Sequence, residues 1–202
     1  MAKIVDHNER KREIAEKAVR LFSQVGYDNV SLIMVAAEAN VSRSVLYRYF
    51  SSKREVMDAA ILLIISRLGE RFGSIIRAKG RPIQKLESIC NIVVEVLFGH
   101  RDFMVAIFNF VTSLARTSPN LPGRINEFTG GLRHMLLLLI AHARRNGEIK
   151  VSISNEQLVE IFYAQFESCV QRIVTGYEND QENAKKRFSW LISALSNSVA
   201  PC

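Results

Sequence analysis

The sequence predicts an all-α protein. Apolar side chains recur about every three to four residues along almost the whole chain, and the alternation typical of strands is nearly absent. Helix boundaries are also marked, because Ser154 with Gln157 has the spacing of a capping box and Asn146-Gly147 ends the helical segment before it. At 202 residues, the chain is long enough for one large or two modest domains with a buried core.

The first predicted helix opens at Asp6, where Glu9 completes a capping-box pattern. It closes at Gly26, since glycine is the usual residue just beyond a helix end. Helical spacing predicts one buried face on this helix, formed by Ile14, Ala18, Leu21, Phe22 and Val25.

Residues 31–53 have the pattern of two short helices joined by a tight turn. Asn40 stands where the chain must reverse, and asparagine tolerates the left-handed backbone that such a turn requires. Ser42 follows as a candidate N-cap of the second helix. Apolar or small residues are predicted to face inward on the first helix at Leu32, Val35, Ala36 and Ala39, and on the second at Val41, Val45, Leu46 and Phe50.

The second of these helices leaves guanidinium, hydroxyl and phenol groups exposed, which suits reading a major groove and gripping phosphates. An ordinary helical hairpin with a basic face is the alternative, but it gives no reason for a left-handed turn residue and an N-cap serine at these offsets. We therefore interpret the segment as a helix-turn-helix that binds double-stranded DNA. The predicted DNA-binding residues are Ser31, Ser42, Arg43, Ser44, Tyr47, Arg48, Tyr49 and Lys53.

Within this set the chemistry predicts different roles. Arg43 can bond a guanine in bidentate fashion, whereas Tyr47, Tyr49 and Lys53 suit phosphates on the walls of the groove. Charge agrees with this interpretation: the net charge is +7, and residues 1–54 hold ten Lys/Arg against six Asp/Glu. A basic excess in the part that carries the motif is typical of a nucleic-acid-binding face.

Longer helices follow, and glycine or proline stands near the end of several of them. The segment 117–123, which contains two prolines and a glycine, predicts a loop. The predicted helices span about 52–78, a following segment that ends at His100, 103–115, 124–145, 156–177 and 183–198.

Residues 10–56 resemble the DNA-binding domain of TetR-family transcriptional repressors. The resemblance rests on the basic start, Ala-Val-Arg-Leu-Phe middle and Gly-Tyr end of the first helix, and on Val-Ser-Arg-Ser-Val-Leu-Tyr-Arg-Tyr-Phe-Ser-Ser-Lys-Arg-Glu-Val. A weaker echo is Asn-Gly-Glu-Ile at 146–149. The resemblance implies a three-helix N-terminal helix-turn-helix domain, residues 1–54, and a C-terminal helical ligand-binding and dimerisation domain, residues 55–202. It also implies a homodimer on a palindromic operator, released by a small, largely apolar effector.

One departure concerns the start of the helix before the turn. The family usually places polar or charged residues where this chain has Ile33 and Met34. Neither side chain can hydrogen-bond a base, so readout should depend more on the recognition helix. Ile33 could contact a thymine methyl group, or both residues could pack against another part of the protein.

The helices 156–177 and 183–198 carry more apolar surface than one contact requires. A helix that is apolar on two faces must bury both, and the family resemblance supplies a second copy of the chain as the partner. A monomer with a fuller core is the alternative. The predicted dimer-interface residues are Phe162, Phe166, Val170, Trp190, Leu191 and Leu195.

A regulatory site is expected in the middle of the chain, where polar groups lie among apolar runs. Ligand pockets have this mixture, but ordinary core packing does too. The candidate effector-binding residues are Phe108, Asn109, Thr112, His134 and Gln165.

Several other classes are not indicated. The three cysteines and four histidines are scattered, without metal-ligand spacing or a catalytic motif, so we expect no metal, no cofactor and no enzymatic activity. The charged N-terminus and short apolar runs predict a cytoplasmic protein without a secretory signal or membrane span. The remaining alternative is a DNA-binding architectural or nucleoid factor without a small-molecule effector.

Overall fold

The computed structural model describes residues 7–117 and 121–196, without the side chains at 116, 117, 121, 122 and 124. Within these ranges the chain forms α-helices and no strand, which confirms the predicted all-α class. The helices are α1 (His7–Asn29), α2 (Leu32–Glu38), α3 (Arg43–Tyr47), α4 (Lys53–Arg77), α5 (Pro82–Gly99), α6 (Arg101–Thr117), α7 (Leu121–Arg145), α8 (Asn155–Val174) and α9 (Gln181–Ser196).

The predicted helix ends are mostly confirmed, with informative differences in α1 and α7. Gly26 has φ 76°, which breaks α1 at the expected position, although a short helical stretch continues to Asn29. The start at Asp6 lies outside the described residues. The helix expected from Arg124 begins instead at Leu121, so residues 121–123, which were predicted to lie in a loop, are helical. A proline is tolerated there because the first turn of a helix leaves its N–H groups without intrahelical partners.

The last two helices also differ slightly from prediction. The capping box of Ser154 and Gln157 is confirmed at the start of α8, which ends at Val174 rather than at Tyr177. Helix α9 begins at Gln181 because the Asp180 carboxylate accepts the backbone N–H of Glu182 at 2.8 Å and caps the helix. The expected end at Ser198 lies outside the described residues.

One compact unit takes in the described residues up to Arg67 together with those from His100 to Leu121. Helix α1 packs against α2 and α6, and α2 packs against α3. Its centre is formed by large side chains that are almost fully buried. They come from α1, α3, α4, α6 and the connection between α3 and α4: Phe22, Leu46, Phe50, Met57, Phe103 and Phe110. The helix-turn-helix segment therefore shares one core with α6.

The other compact unit contains the described residues from Leu68 to Gly99 and from Pro122 onward. Helix α5 packs against α8 and α9, which also contact each other. Cys90 and Cys169 are buried free thiols in this core, and burial raises the pKa of both. They behave as small apolar side chains rather than as nucleophiles or metal ligands.

Polar anchors hold the segment between α7 and α8. The Arg144 guanidinium donates to the carbonyls of Val151 at 2.7 Å and Ile153 at 2.6 Å, and to Asn155 Oδ1 at 2.8 Å. The Glu148 carboxylate accepts the backbone N–H of Ile83 at 2.9 Å, near the start of α5. The Asn-Gly-Glu-Ile segment therefore has a structural role within this unit.

None of the helices in the described ranges has the length and apolar character needed to cross a bilayer. The predicted division after residue 54 separates the chain by function, and it stays a prediction. The compact unit that contains the helix-turn-helix extends beyond that residue, to Arg67, and includes α6.

Candidate nucleic-acid interface

The turn between α2 and α3 has the predicted left-handed residue. Asn40 has φ 51° and is the only non-glycine residue with positive φ in the described part of the chain. The chain reverses there because the N–H of Val41 donates to the carbonyl of Ala36 at 2.9 Å. This geometry confirms the helix-turn-helix connection.

Serine side chains cap the two helices on either side of this turn. Ser31 Oγ accepts the N–H of Met34 at 3.3 Å, and Ser42 Oγ accepts the N–H of Val45 at 3.2 Å. Ser42 Oγ also lies 3.0 Å from Ser44 Oγ. Because a capping oxygen acts as an acceptor, a serine hydroxyl can still donate to a phosphate.

Helix α3 separates its side chains into a buried and an exposed face. Leu46 and Phe50 are buried, whereas Val41 and Val45, which we expected to be buried, are half-buried. The exposed residues are Arg43, Ser44, Tyr47 and Arg48, together with the N-cap Ser42. Most of the predicted DNA-binding residues are therefore accessible to a macromolecular partner.

Tyr49 differs from the other predicted contacts because it is half-buried. Its ring lies 4.7 Å from the imidazole of His7, measured between ring centroids. Sequence reasoning did not select His7, and no local pattern signals a contact between residues so far apart in the chain. Tyr49 thus has a packing role besides any contact with DNA.

The side chain of Lys53, at the start of α4, contacts residues at the end of α1. Its ammonium donates to the carbonyls of Tyr27 at 2.9 Å and Asp28 at 3.1 Å, and it lies 4.5 Å from the centre of the Tyr27 ring. Burial raises the pKa of Tyr27, so its phenol is neutral at pH 7. An ammonium has three donors, and the contact of Lys53 with a phosphate stays a prediction.

Lys53→Met is expected to lower the stability of the unbound protein by about 1 to 2 kcal/mol, because two carbonyls lose a charged donor. Urea unfolding without DNA measures the loss. Lys79→Met, which removes a lysine charge at an exposed position, is the control and should unfold at the wild-type midpoint. Equal midpoints for the two variants would show that the contacts of Lys53 with Tyr27 and Asp28 contribute nothing to stability.

The two apolar residues at the start of α2 differ in exposure. Ile33 keeps 60% of its surface exposed, whereas Met34 is half-buried. Ile33 is therefore not packed into the described part of its own chain. Its contact with a thymine methyl group stays a prediction.

The candidate effector-binding residues are distributed over both compact units. On α6, Phe108, Asn109 and Thr112 are exposed, and the buried face of that helix is formed by other residues, among them Phe103 and Phe110. In the second unit, His134 on α7 is exposed and Gln165 on α8 is half-buried. Their role as an effector site stays a prediction.

Two clefts of the first unit are lined by other residues. One, of about 360 Å³, lies beside Glu16, Arg20, Arg67 and His100. Arg67 pairs with Glu16 there, and burial, with the charge of Arg67, lowers the pKa of His100. The other, of about 680 Å³, includes Leu62 of α4. Neither contains a candidate effector residue.

The predicted dimer-interface residues fall into two groups. Phe162, Phe166 and Leu195, which we expected to face a partner chain, are buried in the core of the second unit. Val170 and Leu191 are half-buried, and Trp190 is 68% exposed. A contact of any of these residues with a second chain stays a prediction.

The described residues contain no group of three or more histidine, cysteine, aspartate or glutamate side chains placed to hold a metal ion.

Known proteins share both the sequence motif and the fold. Residues 14–60 match the model of the family described as "Bacterial regulatory proteins, tetR family". The fatty acid metabolism regulator protein of Bacillus subtilis (strain 168) is 24% identical over 189 residues, which is 93% of this chain and 90% of that protein.

Two solved structures show the same fold. A TetR transcription regulator from Haloarcula marismortui superposes with a TM-score of 0.82, at 17% identity, over 94% of this chain and 100% of that one. The transcriptional regulator FadR from Bacillus subtilis, solved in complex with stearoyl-CoA, has a TM-score of 0.73 at 19% identity, over 93% and 98% of the two chains. Both likenesses extend over almost the whole chain, well beyond the helix-turn-helix.

Proposed function

This chain belongs to the TetR family of transcriptional regulators, and from that premise we propose that it is a ligand-responsive repressor. It binds a palindromic operator as a homodimer and is released by a small, largely apolar effector. The observation that carries the proposal is the exposed face of α3, where Arg43 and Tyr47 stand outward on a helix anchored by buried Leu46.

Sequence readout is assigned to Arg43, the first residue of α3. Its guanidinium can donate two parallel hydrogen bonds to O6 and N7 of a guanine in the major groove. Tyr47, Tyr49 and Lys53 are assigned to phosphates, and Ser44 and Arg48 to mixed roles. Ile33, exposed on α2, adds an apolar contact with a thymine methyl group.

A homodimer is proposed because one short recognition helix makes few contacts. Two copies related by two-fold symmetry read half-sites in successive major grooves, about 34 Å apart. Trp190 of α9 and Ile161 of α8, which are 68% and 42% exposed in the single chain, are the apolar residues that a second copy would cover. Exposed side chains of this size are typical anchors of an interface.

Trp190→Glu is expected to shift the protein from dimer to monomer without unfolding it, because a charge replaces an apolar anchor at an exposed position. Sedimentation velocity at micromolar concentration measures the assembly, and circular dichroism checks the fold. The matched control is Leu62→Glu, which puts the same charge at an exposed leucine of α4 (52% exposed) and should leave the dimer intact. A dimer that persists in Trp190→Glu would remove Trp190 from the interface.

The apolar part of the effector is proposed to be a long acyl chain, which coenzyme A carries as a thioester. The relative from Bacillus subtilis is named as a fatty acid metabolism regulator, and a solved relative in fold was crystallised with stearoyl-CoA. The effector is proposed to bind the helices beyond residue 54 and to change the spacing of the two recognition helices. A coupling free energy of about 1 to 3 kcal/mol is typical of such regulation.

Selection of bound duplexes from a random pool by the full chain tests the DNA-binding part of the proposal. A palindromic consensus is expected, with half-sites about 10 base pairs apart, centre to centre. The selected duplex is then titrated with stearoyl-CoA, and with free coenzyme A as the control that lacks the acyl chain.

The outcomes separate the alternatives. Release by stearoyl-CoA but not by coenzyme A supports an acyl thioester as the effector. A consensus without release by any acyl thioester would favour a DNA-binding factor that lacks this effector. Failure to enrich any consensus would refute sequence-specific DNA binding itself.

A further inference from the structure

Arg43 and Tyr47 form a contact on the exposed face of α3. They stand four residues apart, and side chains at that spacing are neighbours on a helix surface. The guanidinium carbon of Arg43 lies 5.5 Å from the centre of the Tyr47 ring, within the range of a cation–π interaction. Tyr47 is 44% exposed, so the pair lies on the surface that the proposed operator would cover.

No other described residue holds the Arg43 guanidinium in place. Among residues 7–117 and 121–196, it has no carboxylate partner, and its neighbours Ser42 and Ser44 lie within hydrogen-bond distance of each other. An unrestrained arginine side chain has considerable rotamer entropy, which must be lost when it binds a base. The Tyr47 ring is therefore the group that restricts this side chain before DNA arrives.

The geometry leaves the hydrogen-bonding edge of Arg43 available. A guanidinium is planar, with its N–H donors in the plane, so an aromatic ring on which its face rests leaves those donors free. We propose that Tyr47 is a positioning residue for Arg43: its ring holds the guanidinium so that the edge donors meet a guanine. This inference rests on the proposed function and deepens it, because it assigns the ring of Tyr47 to specificity rather than only its hydroxyl to a phosphate.

The two roles of Tyr47 predict different behaviour of two variants. Tyr47→Phe removes the hydroxyl and keeps the ring, whereas Tyr47→Leu removes both. If the ring positions Arg43, Tyr47→Leu loses discrimination at the base pair that Arg43 reads and Tyr47→Phe retains it. If the hydroxyl instead binds a phosphate, both variants lose that contact and bind all sequences more weakly to the same extent.

The experiment uses full-length protein and the duplex that the wild type selects from a random pool. Binding is titrated on this duplex and on versions with each guanine replaced in turn, for Arg43→Ala, Tyr47→Leu, Tyr47→Phe and the double variant Arg43→Ala/Tyr47→Leu. Tyr47→Leu is expected to weaken binding roughly two- to fivefold per half-site. The double variant should show the same base preference as Arg43→Ala alone, because the ring has no guanidinium left to position.

A matched control exists in the second unit. Arg172 lies over the ring of Tyr177 at 4.9 Å, and Tyr177 is 76% exposed. Tyr177→Leu removes the same kind of pair away from α3 and should keep the base preference of the wild type. An equal loss of preference in Tyr177→Leu and Tyr47→Leu would overturn a local role for Tyr47.

Other results would also overturn the inference. One is that the losses of base preference in Arg43→Ala and Tyr47→Leu add up in the double variant. Another is an equal loss of base preference in Tyr47→Phe and Tyr47→Leu. In both cases the wild type still selects its duplex, so the proposed DNA-binding function survives. If the wild type selects no duplex, the proposed function and the inference fail together.

Discussion

Arg43→Ala is expected to weaken operator binding by about 1 to 3 kcal/mol per half-site and to relax the preference at one base pair. Arg43 is the first residue of α3 and is exposed, so its side chain can enter a major groove while buried Leu46 anchors the helix from behind. A dimer loses the contact twice. Binding titrations on the selected duplex and on a scrambled duplex, across a salt series, measure both effects.

Arg145→Ala is the matched control, because it removes the same charge from an exposed position on α7 in the second unit. It should bind the selected and scrambled duplexes with the wild-type ratio. If Arg43→Ala instead keeps the base preference and only lowers the salt dependence, Arg43 is a phosphate ligand. The assigned orientation of α3 in the groove would then be wrong.

Phe166→Ala is expected to lower the free energy of unfolding by about 3 to 5 kcal/mol, the usual cost of deleting a buried aromatic ring. Phe166 is 5% exposed and its ring centroid lies 4.6 Å from that of Phe188, within the core of the second unit. The substitution removes this contact and leaves a cavity among α8 and α9. Urea unfolding measures the loss.

Phe108→Ala is the control because it deletes the same ring at a position that is 44% exposed on α6. Its free energy of unfolding should change by no more than about 0.5 kcal/mol, as is usual for surface substitutions. Comparable losses in both variants would mean that the exposed ring of Phe108 is covered in solution. A small loss for Phe166→Ala would show that its ring is not part of a tightly packed core.

The helix-turn-helix could be predicted from the sequence because its signals are local. Asn40 adopts the left-handed turn, Ser42 caps α3, and Gly26 breaks α1, each within a few residues of the feature that it determines. Such residues act through their own backbone preference or through a hydrogen bond to a near neighbour. The exposed Arg43 followed from helical spacing, which assigns faces once one buried residue is known.

Only the tertiary structure showed which apolar residues of a helix are buried within the chain and which stay exposed. The sequence predicted Phe166 and Trp190 alike as apolar residues of a dimer interface. In the structure, Phe166 lies in the core of its own unit and Trp190 is mostly exposed. Lys53 illustrates the same point, since its ammonium binds the carbonyl of Tyr27, 26 positions earlier, although its type suggested a phosphate contact. A local pattern indicates the chemistry of a side chain and the helix face on which it lies, but the partner of that face depends on how distant helices pack. The hydrophobic effect is not directional, so apolar residues alone do not specify which partner covers them.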